Sequence, residues 1–225
     1  MKQQILKKYI VITSVCLMAL ATPFVAQGEG VLDSKRGLLE LRTMVGQSKA
    51  GFNDGSTADA SLFYPTSLLQ QTDGSLLISD TNNHKIRMLA NDQLTTLSGH
   101  IIDFDESSMP VGSYGDGAID VAMYQSPGGL AMDEQGQIYI ADTNNHSIRL
   151  ISKEGTVTTI AGSWQLGDQD GQGSAAGFYS PSDVAVDSQG NVYVADTLNH
   201  LIRKIDTKGN VTTLNKASER VVEYF

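Results

Sequence analysis

ISDTNNHKIRML (78–89), IADTNNHSIRLI (140–151) and VADTLNHLIRKI (194–205) are three near-copies of one segment in a chain of 225 residues. A wider frame accompanies each copy. An Asp-Gly pair precedes the repeated aspartate by 26 residues, with Asp54, Asp116 and Asp170 set against Asp80, Asp142 and Asp196. Pro65, Pro127 and Pro181 stand 15 before that aspartate, and Gly74, Gly136 and Gly190 stand six before it. Self-similarity at fixed spacing marks a repeat architecture, in which each unit buries its apolar face only against its neighbours. Function is then sought on an exposed face rather than in a buried pocket.

Each repeat divides into four short runs that read as strands. The first follows the proline (Leu68-Leu69, Leu130-Ala131-Met132, Val184-Ala185-Val186), and the second leads into the aspartate (Leu76–Ile78, Ile138–Ile140, Val192–Val194). The third carries an Ile-Arg pair at Ile86-Arg87, Ile148-Arg149 and Ile202-Arg203. The fourth is Leu94–Leu97, Val157–Ile160 and Val211–Leu214. These runs are short, rich in β-branched and aromatic residues, and bounded by Gly, Asn and Asp turns. Asp73-Gly74, Gln135-Gly136 and Gln189-Gly190 suit hairpins between the first two strands. Four-strand units in series build a β-propeller, so an all-β fold with blades at 65–99, 127–162 and 181–216 is expected.

The pattern PxGLAxDxxGxIYIADTNNHxIRxI, preceded by GDGxxxxAxFxxP and followed by GxVTTIAG, resembles the NHL repeat family over residues 41–216. The resemblance implies a propeller, usually of six blades, that serves as a binding platform. It also implies kinship with secreted bacterial proteins, whose NHL modules often sit in longer chains. Three blades make half such a ring, whereas propellers close with roughly four to eight. Leu41–Gly46 reads as a spare outer strand, because LRTMVG parallels VTTIAG. A symmetric homodimer of half-rings would close the circle; so would a longer chain of which this is a shortened form, the alternative favoured by the closure argument. Blade 1 departs from the pattern. Gln70, Gln71 and Ser79 make its inner strands polar, as expected of a wet central channel or of loose packing.

The N-terminus reads as an export signal over residues 1–21, followed by an extension over 22–40. Lys2, Lys7 and Lys8 precede the apolar run Tyr9–Leu20, and Ala19-Leu20-Ala21 offers a cleavage site. A secreted, extracytoplasmic location follows from that reading. The one cysteine, Cys16, would leave with the signal, so packing rather than disulfides must hold the fold. Loss of those lysines leaves 13 basic against 25 acidic residues, a net charge of −12. That sign disfavours nucleic acid, whose phosphates need a basic face, and it disfavours an anionic membrane surface. The tail 217–225 breaks the repeat.

Strand parity puts the Asp-Gly loops and the Thr-Asn-Asn-His turns on one side of the blades. Repeat spacing falls from 62 to 54 residues, and the extra length lies between His100 and Ser113 on that same side. This insert is acidic through Asp103, Asp105 and Glu106. Variable loops on a rigid scaffold are where binding resides. The ligand-face candidates are therefore Asp54, Asn82, Asn83, His84, His100, Asp103, Asp105, Asp116, Asn144, Asn145, His146, Asp170, Asn199 and His200. Asp80, Asp142 and Asp196 read as turn caps, with Arg87, Arg149 and Arg203 as partners returned by the hairpin.

No metal site is assigned. The loop Gly167–Gly173 resembles a calcium loop only in its first aspartates and lacks the terminal Glu. There is no G-x-S-x-G elbow, no H-E-x-x-H and no phosphate-cradling loop. Two functions remain in view. One is an exported non-catalytic module that binds a protein, peptide or glycan, without a cofactor. The other is a metal-dependent propeller lyase or hydrolase, and a degenerate fragment of a longer protein is the bland alternative.

Overall fold

A computed structural model describes Val31–Leu32, Leu39–Glu40 and residues 42–215. The export signal and the tail 217–225 lie outside the described residues. Strands β1 (Val31–Leu32) and β2 (Leu39–Glu40) pair antiparallel in an N-terminal unit that ends at Thr43. The second unit, from Met44 onward, contains three antiparallel sheets. Blade 1 is β3 (Gly55–Ser56), β4 (Pro65–Gln70), β5 (Leu76–Asp80), β6 (Lys85–Ala90) and β7 (Gln93–Ser98). Blade 2 is β8 (Gly117–Ala118), β9 (Pro127–Met132), β10 (Ile138–Asp142), β11 (Ser147–Ile151) and β12 (Thr156–Gly162). Blade 3 is β13 (Gly171–Gln172), β14 (Pro181–Val186), β15 (Val192–Asp196), β16 (Leu201–Ile205) and β17 (Asn210–Thr213).

Each of the three blades therefore has five strands where four were expected. The fifth is the two-residue strand that follows the repeated aspartate of the Asp-Gly pair, and it pairs with the outermost strand of its own blade. The segment 42–46, expected to supply a spare outer strand, holds none. The ladder position beside β7 is filled by Gly55–Ser56.

Blades pack face to face, and strand alternation decides which residues meet. Leu77 and Ile86 of blade 1 share a core with Leu130, Ile138, Ile140, Ile151 and Val157 of blade 2. Ala131, Tyr139 and Ile148, from the other face of blade 2, share a core with Phe178, Val184, Val192, Val194 and Ile205. Blade 2 is covered on both sides, so β10 is buried at every position, while β15 of blade 3 alternates. That contrast follows from period-2 side-chain geometry on a sheet with one or two covered faces.

Blade 1 is neither wet at Ser79 nor loosely packed there. Ser79 is fully buried and its hydroxyl donates to the Gly128 carbonyl of blade 2. Thr81 Oγ1 similarly donates to the Pro127 carbonyl at 2.9 Å. These polar residues are buried because the neighbouring inner strand supplies acceptors, which removes the desolvation penalty. Gly129 answers a close approach on the other side: a Cβ there would lie 1.9 Å from Asp183 Oδ1 and 2.6 Å from its Cα.

Candidate functional site

One arginine organises each blade. Arg87, Arg149 and Arg203 are fully buried, and each bridges two aspartates of its own repeat. Arg149 Nη1 meets Asp142 Oδ2 at 2.6 Å, and its Nη2 meets Asp116 Oδ1 at 2.7 Å. The carbonyls of Met123 and Gly115 accept further bonds from the same guanidinium, at 3.0 and 2.6 Å. Tyr114 and Tyr124 lie against it, with ring centroids 5.0 and 5.2 Å from Cζ. Arg203 has one such ring, Phe178, at 5.1 Å. The planar fork of arginine suits this bidentate, stacked setting in a way that lysine would not.

The inner aspartates Asp80, Asp142 and Asp196 are fully buried and also accept the backbone N–H of Phe63, Gln125 and Tyr179. Burial pushes the Asp142 carboxyl up to about 6, against the opposing pull of Arg149, Asn145 and the Gln125 N–H. Burial raises Asp80 as well. The outer aspartates Asp54, Asp116 and Asp170 are 48%, 42% and 40% exposed. Although partial desolvation acts to raise Asp54, bonds from the Thr96 amide and Arg87 hold it below the usual carboxylate range. Asp170 is held low in the same way, desolvation being outweighed by Thr213 and Arg203. These three ligand-face candidates thus tie their loops to a buried arginine.

The repeated turns are short 3₁₀ segments, Thr81–Asn83, Thr143–Asn145 and Thr197–Asn199. Each ends on a histidine in the left-handed region, His84, His146 and His200 at φ 56°, 50° and 57°. The last asparagine turns inward, with Asn83, Asn145 and Asn199 each donating to the inner aspartate at 2.8 Å. The middle residue turns outward, since Asn144 and Leu198 are exposed and Asn82 is half-buried.

Two of the histidines connect blades. His84 Nδ1 accepts the Ser126 N–H at 2.9 Å, and His146 Nδ1 accepts the Ser180 N–H at 3.1 Å. Burial lowers the pKa of His84, with a backbone bond to Pro110 acting the other way, and a neutral ring fits its role as acceptor. His200 is exposed, and among the described residues no following blade supplies the equivalent N–H.

The insert forms a small lobe. Phe104 and Pro110 bridge antiparallel, and Asp105 Oδ1 accepts the Ser107 and Met109 N–H groups at 2.8 and 2.9 Å. Asp103 accepts from the Phe104 N–H at 2.8 Å. Both aspartates, His100 and Glu106 are exposed. The lobe brings Phe104 to Phe52, with ring centroids 6.0 Å apart. Beneath them lies a cavity of 410 Å³ lined by Lys85, Leu97, His100, Phe104, Pro110 and Asp120 among others. Lys85 and Phe52 were not singled out in the sequence. A signal was nevertheless present: the position of Lys85 holds Ser147 and Leu201 in the other repeats, so the lysine is peculiar to the repeat that precedes the insert. Among the described residues, no group of three or more His, Cys, Asp or Glu stands together in an arrangement that could hold a metal ion.

The NHL repeat family pattern matches residues 124–149 and 178–205. NHL repeat-containing protein 2 of Gallus gallus is 37% identical over 112 residues, covering 45% of this chain and 15% of that protein. A probable peptidyl-alpha-hydroxyglycine alpha-amidating lyase of Caenorhabditis elegans is 32% identical over 100 residues, covering 43% of this chain and 27% of that protein. The crystal structure of a Bacteroides thetaiotaomicron protein of unknown function superposes with a TM-score of 0.57 at 22% identity, covering 76% of this chain and 39% of that one. The chain thus spans only a fraction of the length of the proteins it matches.

Proposed function

This chain belongs to the NHL repeat family, and from that premise we propose that it is an exported, non-catalytic module that binds a protein, peptide or glycan through the loop side of its blades. One observation carries the reading. The charges that recur in every repeat are engaged in holding the blades, whereas outward-facing residues and the one length variation collect on the side of the Thr-Asn-Asn-His turns. A rigid frame with variable loops is a recognition device rather than an assembled acid–base centre. The test is an array of peptides and glycans probed with residues 22–225, compared with an Asn82→Ala/Asn144→Ala double variant and a variant lacking 103–109. Selective binding that the loop variants reduce at least tenfold supports the module. Binding that ignores both variants removes the loop side from the function.

Likeness to the amidating lyase favours a second reading, a metal-dependent lyase. Metal analysis of the purified protein, with a chelator-sensitive assay on hydroxyglycine-extended peptides, separates the two. Turnover that chelator abolishes supports the lyase.

We further propose that two copies close one ring. Ile86 and Ile148 are fully buried by the following blade, yet their counterpart Ile202 is 44% exposed. On the opposite flank Leu130 and Val184 are 7% and 6% exposed, yet Leu68 is 48% exposed. The two flanks thus carry the two halves of the interface used twice within the chain, which a second copy would complete, as would the further blades of a longer chain. Light scattering after gel filtration should return a dimer. A monomer in solution overturns the proposal.

A further inference from the structure

The cavity beneath the 100–113 lobe is lined by a lysine, Lys85, whose position the other two repeats fill with Ser147 and Leu201. Lys85 is half-buried at the start of β6, and among the described residues its ammonium has no ion pair or hydrogen bond. The acids nearest in the repeat, Asp54 and Asp80, are engaged by Arg87. Burial and the Arg87 charge lower the pKa of Lys85, against the opposing pull of Asp54 and Asp80. Gly99, which also lines the cavity, packs against the backbone at the start of β6, where a Cβ would lie 2.8 Å from Lys85 Cα, as Gly162 packs against Ser147 in blade 2.

The rest of the lining has a consistent chemistry. Phe52, Leu97, Phe104 and Pro110 provide apolar walls, and the bridge between Phe104 and Pro110 holds the aromatic wall in place. Asp120 also lines the cavity, is exposed, and makes no ion pair with Lys85. A cavity of 410 Å³ falls within the range of small-ligand sites, which run from about 300 to 1,000 Å³. Its volume excludes a folded partner but admits a single residue.

We propose that this cavity binds a zwitterion with a large apolar side chain, an α-amino acid or a short peptide, whose carboxylate pairs with Lys85, whose ammonium faces Asp120 and whose side chain packs against the wall formed by the touching rings of Phe52 and Phe104. The opposite charges unpaired with one another select the zwitterion over a plain acid or amine, and the two aromatic rings select the apolar group. The other repeats cannot form the same site, because they replace Lys85 by Ser147 and Leu201 and have no counterpart of the lobe. The proposal rests on the binding-module reading, because the cavity lies among the same loops. The Asn82 and Asn144 variant leaves Lys85, Phe52 and Phe104 intact, whereas deletion of 103–109 removes Phe104, so the asparagine variant and Lys85→Met let the two ideas fail separately.

Calorimetry on residues 22–225 with L-phenylalanine, L-phenylalaninamide and N-acetyl-L-phenylalanine tests it, with a phenylalanine-containing dipeptide separating a free amino acid from a peptide. Phenylalanine or the dipeptide should bind, and removing either ligand charge should weaken binding at least tenfold. Lys85→Met should abolish binding of the zwitterion at unchanged Tm, and Phe104→Ala should weaken all the ligands alike. Zwitterion binding that Lys85→Met leaves intact, equal binding of the three ligands, or no heat at millimolar concentration would each overturn the assignment.

Discussion

Arg149 Nη1 lies 2.6 Å from Asp142 Oδ2, and both side chains are fully shielded from solvent. A buried pair of this kind adds little over a well-packed apolar pair, yet removing one partner strands the other without water. Arg149→Met should therefore cost about 3–5 kcal/mol. Asp116→Asn, at the exposed end of the same fork, should cost about 1 kcal/mol or less. Urea titration of both variants against the parent protein checks the ratio, and equal losses would show that stranding the buried Asp142 adds nothing to the loss of the exposed Asp116 end.

The pH profile of stability should have two limbs. Bonds from Ser75 lower Asp73, bonds from Asn191 lower Asp187, bonds from Asn210 lower Asp206, and Asp54 and Asp170 are also held low. A carboxylate with a depressed folded pKa stabilises the fold above its unfolded value of 3.8, and that stability is lost as pH falls through the folded value. Asp142 acts in reverse, because burial raises it to about 6 and the folded state then takes up its proton first. Between 6 and 3.8, acidification should favour the fold through this residue, before the steep loss below 3.8. Thermal melts from pH 7 to 2.5 should show this, and Asp142→Asn should flatten the upper limb.

The histidines should separate by position. His146→Ala leaves the Ser180 N–H without its acceptor, an expected loss of about 1–3 kcal/mol. His84→Ala acts likewise on Ser126. His200→Ala, at an exposed site, should change stability by less than about 0.5 kcal/mol in the monomeric state. Amide exchange at Ser126 and Ser180 reports the same bonds directly, and faster exchange in the variants is expected.

Gly129→Ala should destabilise by about 1–3 kcal/mol, the usual range for overpacking, because the added carbon would overlap the Asp183 backbone. Gly136→Ala meets nothing within 4 Å but must hold a φ of +83°. Its expected loss is about 1 kcal/mol, from backbone strain alone. A neutral Gly129→Ala would show that blades 2 and 3 can part.

Much of this arrangement is legible in the order of residues. A hairpin that turns between Asp80 and Arg87 returns the arginine to the aspartate, and recurrence at Asp142–Arg149 and Asp196–Arg203 marks the pair as part of the repeat. The Asp-Gly aspartates are harder, since Arg149 reaches Asp116 from 33 residues away through the pairing of β8 with β12. Segment 42–46 imitates a strand in composition but has no free ladder to join. Ser79 looks like a flaw in an apolar strand until the Gly128 carbonyl beside it is known.

Chain order alone specifies the repeat, four of the five strands in each blade, the turns that bound them and the side on which the loops collect. Those features depend on neighbours along the chain, on period-2 alternation and on turn chemistry, all of which are written locally. Packing in three dimensions sets the rest: Asp54, Asp116 and Asp170 serve a buried arginine, two histidines link one blade to the next, and Lys85 lines a cavity beneath Phe104. Contacts between blades join residues tens of positions apart. Their outcome depends on which face of each sheet is covered, and only packing determines that.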